Sequence, residues 1–209
     1  MNSERIKALA SFIQKDNSVV DVGCDHGYLS IYLKKNKLCK NVIASDISQN
    51  ALSSAINNFK KYNLNIKYYV TDGLNNIEDY YDTVVIAGMG THTIINILKD
   101  KELPKKIILA SNNDHYLLRK FMQDIGYILI KEVVVFENKK YYPLMHYEKG
   151  IKKEKKRTLM YGKSNNIEYF DYLITKNNQI INKVPLKEKI KLRYKNYILK
   201  KIIRSTEKK

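Results

Sequence analysis

Four short stretches of this chain combine glycine with acidic or amide side chains in a way that suits a small charged ligand. The first, Asp21-Val22-Gly23-Cys24-Asp25-His26-Gly27-Tyr28-Leu29, follows a β-branched run and opens a helical pattern. Glycines at a strand-to-helix turn let the backbone bend sharply and approach a ligand closely. The spacing is G-x-x-x-G after a D-x-G lead, not the G-x-G-x-x-G of dinucleotide sites. A loop rich in carboxylates suits a cationic cofactor better than a pyrophosphate. The second stretch ends in Asp46 and Ile47, with Asp46 19 residues after Gly27. A carboxylate there can accept both hydroxyls of a ribose, or it can cap the following helix. The third, Thr71-Asp72-Gly73-Leu74, offers an acceptor for an exocyclic amine, with Gly73 leaving room for a ring. Asp-Gly is also a frequent turn dipeptide. The fourth is Ile86-Ala87-Gly88-Met89-Gly90-Thr91-His92.

These stretches need a scaffold that brings strand ends together. Short apolar runs at 19–23, 42–46, 66–71, 83–87 and 106–110 read as strands. Between them, helical patterns are predicted over 26–36, 48–62, 91–100 and 114–125, and residues 3–15 form an amphipathic helix ahead of the first strand. Alternation of this kind predicts a parallel sheet covered on both faces. Residues 127–136 and 141–147 are two strands joined by Glu137-Asn138-Lys139-Lys140 with no helix between, hence an antiparallel hairpin. Five αβ units closed by a β-hairpin are the layout of the class I (Rossmann-like) methyltransferase sheet. S-adenosylmethionine, with its ammonium and sulfonium groups, is the cofactor such a carboxylate-lined crevice would take.

Beyond Gly150 the pattern changes. After the charge run KKEKKR, two apolar stripes flank Pro185: Ile167, Phe170, Leu173, Ile174, Ile180, Ile181 and Val184, then Leu186, Ile190, Tyr194, Tyr197, Ile198 and Ile202. They predict an antiparallel helical hairpin, a coiled coil whose helices of about 20 residues each reach roughly 30 Å. The expected division is therefore a catalytic domain over 1–150 and a helical domain over 151–209.

The chain has 209 residues and a formal charge of +17. An AT-rich genome inflates Lys, Ile, Asn and Tyr, all over-used here, but it should spread charge evenly. Residues 1–150 carry 20 basic and 16 acidic side chains, against 18 and 5 in residues 151–209. A net of +13 on the shorter part points to a polyanion-binding appendage on a nearly neutral domain. With 44% apolar residues the chain can bury a core, which excludes a disordered basic protein. Cys24 and Cys39 make neither a disulfide framework nor a metal pattern, and the four His (26, 92, 115 and 146) are dispersed. No membrane span or signal-peptide core is legible, so a soluble, cytoplasmic, metal-free protein is expected, and as a monomer. The Asn/Asp-Pro-Pro-aromatic signature of exocyclic-amine methylation is absent after the fourth strand, and neither Cys is placed for a covalent attack on a pyrimidine. The acceptor is thus one that needs little covalent help.

Taken together, DVGCDHGYLSIYL, ASD, TDGL, VIAGMG, ILASN followed by Leu118-Arg119, and the KEVVVFENKKYYPL hairpin resemble the bacterial TrmK family over roughly residues 5–148. The last 60 residues resemble it in architecture only. The resemblance implies transfer of a methyl group from S-adenosylmethionine to N1 of adenine 22 in the D arm of tRNA. It implies a cofactor site of Asp21, Gly23, Asp25, His26, Gly27, Asp46, Ile47, Asp72, Gly73, Gly88, Met89 and Gly90, with His26 and Asn112 nearest the chemistry. tRNA would be held by the basic C-terminal domain and by the face around the cofactor crevice. Two departures stand out: the family's AGMGG ends in Thr91, and its Gln-Pro-Asn reads Ala110-Ser111-Asn112. Two other readings fit the residues: a class I methyltransferase with a protein or small-molecule acceptor, and a non-catalytic RNA-binding module on this fold. Tyr28, Phe136 and Tyr142 are candidates for stacking on a flipped base.

Overall fold

Each apolar run read as a strand pairs into one seven-stranded sheet. A computed structural model describes residues 3–208. The strands are β1 (Ser18–Val22), β2 (Asn41–Asp46), β3 (Lys67–Val70), β4 (Thr83–Met89), β5 (Lys106–Ser111), β6 (Tyr127–Glu137) and β7 (Lys140–Lys149). Their spatial order is β3-β2-β1-β4-β5-β7-β6. The first five are parallel, and β7 runs antiparallel between β5 and β6. The chain winds outward from β1 to β3 and restarts at β4 on the other side. The switch point therefore lies at the carboxyl ends of β1 and β4, where open α/β sheets bind ligands.

Residues alternate across the sheet, and both faces are covered. Val19, Val85 and Ile108 pack with Ile31 and Leu33 of α2 (Tyr28–Lys35) and with Leu52 and Phe59 of α3 (Gln49–Lys61). Val20, Val84, Ile86 and Leu109 pack with Ile94 of α4 (Thr91–Leu98) and Leu118 of α5 (His115–Asp124). Strands buried on both sides must read as near-continuous apolar runs, which is why they are legible in sequence. The N-terminal helix α1 (Glu4–Ala10) is shorter than the predicted 3–15. Phe12 N and Ile13 N bond three residues back, to Leu9 O and Ala10 O, so the helix ends in a tightened turn.

The chain divides into two compact units at Gly162/Lys163, twelve residues later than the expected boundary at 150. The physical reason is a buried ion pair. Arg119 Nη2 lies 2.5 Å from Glu132 Oε1 and its Nε donates to Oε2 at 3.2 Å, with the two side chains 2% and 0% exposed. Arg119 Nη1 also donates to the Leu159 carbonyl at 3.2 Å. That contact fixes the short helix α6 (Lys156–Tyr161) onto the first unit.

In the second unit, α7 (Ile167–Ile181) and α8 (Leu186–Thr206) pack on each other as the expected helical hairpin. The buried face of α8 coincides with the predicted stripe only at Ile202. Leu192, Asn196, Leu199 and Ile202 are buried, whereas Leu186, Ile190, Tyr194 and Tyr197 are 57–72% exposed. Asn177 Nδ2 donates to Asn196 Oδ1 (2.7 Å), and Asn196 Nδ2 donates to Asn178 Oδ1 (2.8 Å). A polar seam of this kind sets helix register at a cost in apolar burial.

Candidate functional site

The turn after β1 is built from left-handed backbone. Gly23 and Gly27 both have φ +69° and Asp25 has φ +49°. Gly23 N and Cys24 N donate to the Ser45 carbonyl at 2.8 and 3.0 Å, locking the turn against the end of β2. A Cβ on Gly23 would overlap the Met89 methyl, and one on Gly27 would sit 2.5 Å from the Phe59 ring. The two glycines thus serve a strained turn and a close approach at once.

Asp46, at the tip of β2, ties the neighbouring loops. Its Oδ2 accepts from Asp25 N (3.0 Å) and its Oδ1 from Ser48 N (2.9 Å), while its backbone carbonyl accepts from Thr71 N (2.9 Å). The loops after β1, β2 and β3 are therefore organised around one residue. Ile47 is 69% exposed beside it. Asp72 and Ile97 line a depression of about 240 Å3, and Gly73 packs against the Ile97 side chain. Asp25 points outward, with its carboxylate 3.7 Å from His26 Nε2, and the His26 ring lies 5.4 Å from that of Tyr28.

On the other side of the crevice, Gly88, Met89 and Gly90 end β4, and Asn112 follows β5. Asn112 Nδ2 donates to the Gly88 carbonyl at 2.7 Å and Asn112 N to the Met89 carbonyl at 2.9 Å. That bond uses one of the two Nδ2 hydrogens and leaves Oδ1 as the acceptor of the side chain. Thr91 and Ser111, two of the departures from the family pattern, meet each other. Their hydroxyls lie 2.6 Å apart, so that one donates to the other, and they stand 2.6 and 2.7 Å from the Asn113 carbonyl. The substituted side chains thereby brace the loops that carry Gly88 and Asn112. Among the described residues no group of three His, Cys, Asp or Glu side chains gathers to hold a metal.

Asp21 is buried beneath the turn and accepts from Ser30 Oγ at 2.7 Å. Burial pushes its carboxyl up to about 6, against the opposing pull of the Ser30 hydrogen bond. An acid with a raised folded-state pKa stabilises the fold fully below its unfolded value of about 4 and loses that contribution as pH rises through about 6. Asp21→Asn is therefore expected to raise the Tm of the ligand-free protein at pH 8 by several degrees and to flatten its decline between pH 4 and 6. Calorimetric unfolding across that range checks it; a decline as steep as in the wild type counts against the assignment.

The acceptor set is consistent along the crevice. Carboxylates at Asp25, Asp46 and Asp72 stand at or just beyond the ends of three neighbouring strands, with Asp21 buried beneath the first turn. Acceptors in that number fit a ligand bearing a cation and ribose hydroxyls, not a phosphate. Arg5 is the residue near the crevice that periodicity missed. Its signal was composition: in a chain with 33 Lys, only five positions are Arg.

Comparison with known proteins agrees with this geometry. A family model described as a methyltransferase domain matches residues 2–145. A Mycoplasma genitalium protein provisionally named a tRNA methyltransferase is 36% identical over 152 residues, covering 70% of this chain and 69% of that protein. The Bacillus subtilis tRNA (adenine(22)-N(1))-methyltransferase is 33% identical over 155 residues, 71% of this chain and 65% of its own length. Both alignments thus span about two thirds of the relative. The solved structure of M. capricolum TrmK with S-adenosylhomocysteine superposes with a TM-score of 0.85 at 26% identity, covering 98% of each chain.

Proposed function

The chain belongs to the TrmK family of methyltransferases, and from that premise we propose that it methylates N1 of adenine 22 in tRNA, using S-adenosylmethionine. The single observation that carries this reading onto these residues is the ring of strand-end carboxylates, with Asp46 ordering the turn after β1.

When bound, S-adenosylmethionine supplies an electrophilic methyl group on a sulfonium centre. Asp46 is positioned for the ribose hydroxyls, Asp72 for the adenine amine, and the turn from Asp21 to Gly27 for the cationic amino acid portion. N1 of neutral adenine carries a free lone pair, so the crevice would need only to hold the base in line with the methyl group, which the cofactor would supply with its own sulfur as the leaving group. No proton has to leave, so the chain needs neither a strong base nor a metal at this step. Positioning and exclusion of water supply most of the rate. Cys24 fits a reaction with no covalent enzyme intermediate. Burial raises its thiol pKa, and the nearby Asp21 and Asp46 carboxylates push it further up.

N1 lies on the Watson–Crick edge, so the target base must leave its stack. Asn112, with Nδ2 committed to the Gly88 carbonyl, presents Oδ1 to the adenine N6 amine. His26 stands at the mouth of the crevice, where it contacts either the base or the cofactor carboxylate. The second unit is read as the tRNA-holding part. Residues 163–209 carry 13 basic and 4 acidic side chains, and exposed Tyr194 and Tyr197 sit among the lysines of α8. RNA is gripped largely through phosphates and shape. A tRNA substrate places the activity in the cytoplasm, and among the described residues no helix is long and apolar enough to cross a membrane.

The decisive experiment is methylation of unmodified tRNA with labelled cofactor, followed by nucleoside mapping. Label in 1-methyladenosine at position 22 is expected; label on protein, or on no tRNA nucleoside, refutes the reading. Removal of residues 163–209 is expected to leave cofactor affinity intact and to weaken tRNA binding by about tenfold or more, with a shallower salt dependence. The cut belongs after Gly162, because α6 packs on the first unit through Arg119. Unchanged tRNA affinity would show that the helical unit does not hold the substrate.

A further inference from the structure

A second depression opens on the side of Gly88 and Asn112 away from the carboxylates, and its charge is opposite. It has a volume of about 430 Å3 and is lined by Arg5, Lys140, Tyr142, Gly88, Ser111 and Asn112, and among the described residues no carboxylate is part of its lining. The size lies within the range of small-ligand sites. Its outer wall joins the first turn of α1 to the tip of the β6–β7 hairpin.

Arg5 is held in place there. Its Nε lies 3.0 Å from Glu137 Oε2, and its guanidinium carbon stands 4.3 Å from the centre of the Tyr142 ring. Glu137 is itself anchored by Ser3 Oγ, which donates to Oε1 at 2.8 Å. Burial opposes the charge on Glu137, but hydrogen bonds from Ser3 and from the backbone at Arg5 hold its carboxyl below the usual value. A planar guanidinium stacked on one side and ion-paired through Nε keeps both Nη groups as donors. Such a preorganised fork matches a phosphodiester, and Lys140 adds a second cation on the same cavity.

We propose that this cavity takes the nucleotide being methylated, with Arg5 and Lys140 binding the RNA phosphates that flank it and Asn112 meeting its base. The proposal rests on the tRNA-methyltransferase reading of the adjoining crevice. Gly88 and Asn112 of this cavity adjoin Met89, whose methyl stands against Gly23 in the acidic turn after β1 and whose carbonyl accepts from Asn112 N. Gly88 has open space where a Cβ would stand. An acidic crevice for a sulfonium thus abuts a basic cavity for a polyanion.

The test uses the full-length protein and unmodified tRNA, with KM measured at several salt concentrations and cofactor affinity by calorimetry. Arg5→Gln is expected to raise the tRNA KM about tenfold and to reduce the salt slope by about one, with cofactor affinity unchanged. Lys140→Gln, at an exposed hairpin tip where folding is not at stake, is expected to raise KM several-fold. Glu137→Gln keeps Arg5 but removes the charge that partly neutralises it, so it is expected to lower KM. If Glu137→Gln raises KM as Arg5→Gln does, Arg5 is only a clasp between helix and hairpin and the proposal fails. It fails equally if Arg5→Gln or Lys140→Gln leaves KM unchanged. A wild-type protein that binds cofactor but leaves tRNA unlabelled would overturn the underlying reading as well.

Discussion

Asp46→Ala is expected to lower cofactor affinity by about two orders of magnitude while leaving the sheet folded. The carboxylate accepts from Asp25 N and Ser48 N at 3.0 and 2.9 Å, and it is proposed to take the cofactor ribose as well. Hydrogen bonds to a charged group contribute about 1.5–3 kcal/mol each, and every 1.4 kcal/mol is tenfold in affinity. Losing the ribose contact together with the order of the preceding turn accounts for the predicted factor. Asp46 is partly exposed at a strand end, so water replaces the lost acceptor and global stability changes little. Isothermal calorimetry with S-adenosylmethionine and a thermal melt together test this. Wild-type affinity in the variant refutes the ribose assignment, and a collapsed melt shows that Asp46 is chiefly structural.

Arg119→Ala is expected to destabilise the first unit by about 3–5 kcal/mol, the usual cost of removing one partner from a buried ion pair. The change strips the buried Glu132 carboxylate of the guanidinium charge and releases the Leu159 carbonyl at the same stroke. For a chain of this size the Tm should fall by roughly 10 °C. Replacing both partners, as in Arg119→Met with Glu132→Leu, should cost less than either single change, because no charge is left buried. A double variant as unstable as the sum of the two single variants would show that the charges are not coupled. Gly162 adds a second constraint, since a Cβ there would overlap the Glu132 carboxylate.

Much of the crevice was legible because it is written in local patterns. The runs at Val19–Val22 and Thr83–Ala87 become strands buried on both faces, and Asp21 and Asp46 stand at strand ends because the strands stop there. The glycines at 23 and 27 mark a turn that only left-handed backbone can make. Other features depended on competition between equally good local choices. Two apolar stripes run along α8, and periodicity alone selects the one through Ile190 and Tyr194. The structure buries Leu192 and Leu199 instead, with the Asn177–Asn196–Asn178 hydrogen bonds in the seam. The boundary was misplaced for a similar reason. KKEKKR reads as a linker or as the start of a basic helix, and its last two residues do open a helix, α6, fixed by a guanidinium that approaches from α5.

Composition, the succession of strands and helices along the chain and the acidic turn follow from the amino-acid sequence, since hydrophobic period and backbone preference act over a few residues. So does the uneven charge, which separates a nearly neutral domain from a basic one. The basic cavity, the orientation of Arg5 and the inward face of α8 exist only once distant segments are packed. Ser3 and Glu137 are 134 residues apart, and Thr91 meets Ser111 across two loops. No local rule encodes such pairs, because their free energy arises from desolvation and geometry that the folded chain alone supplies.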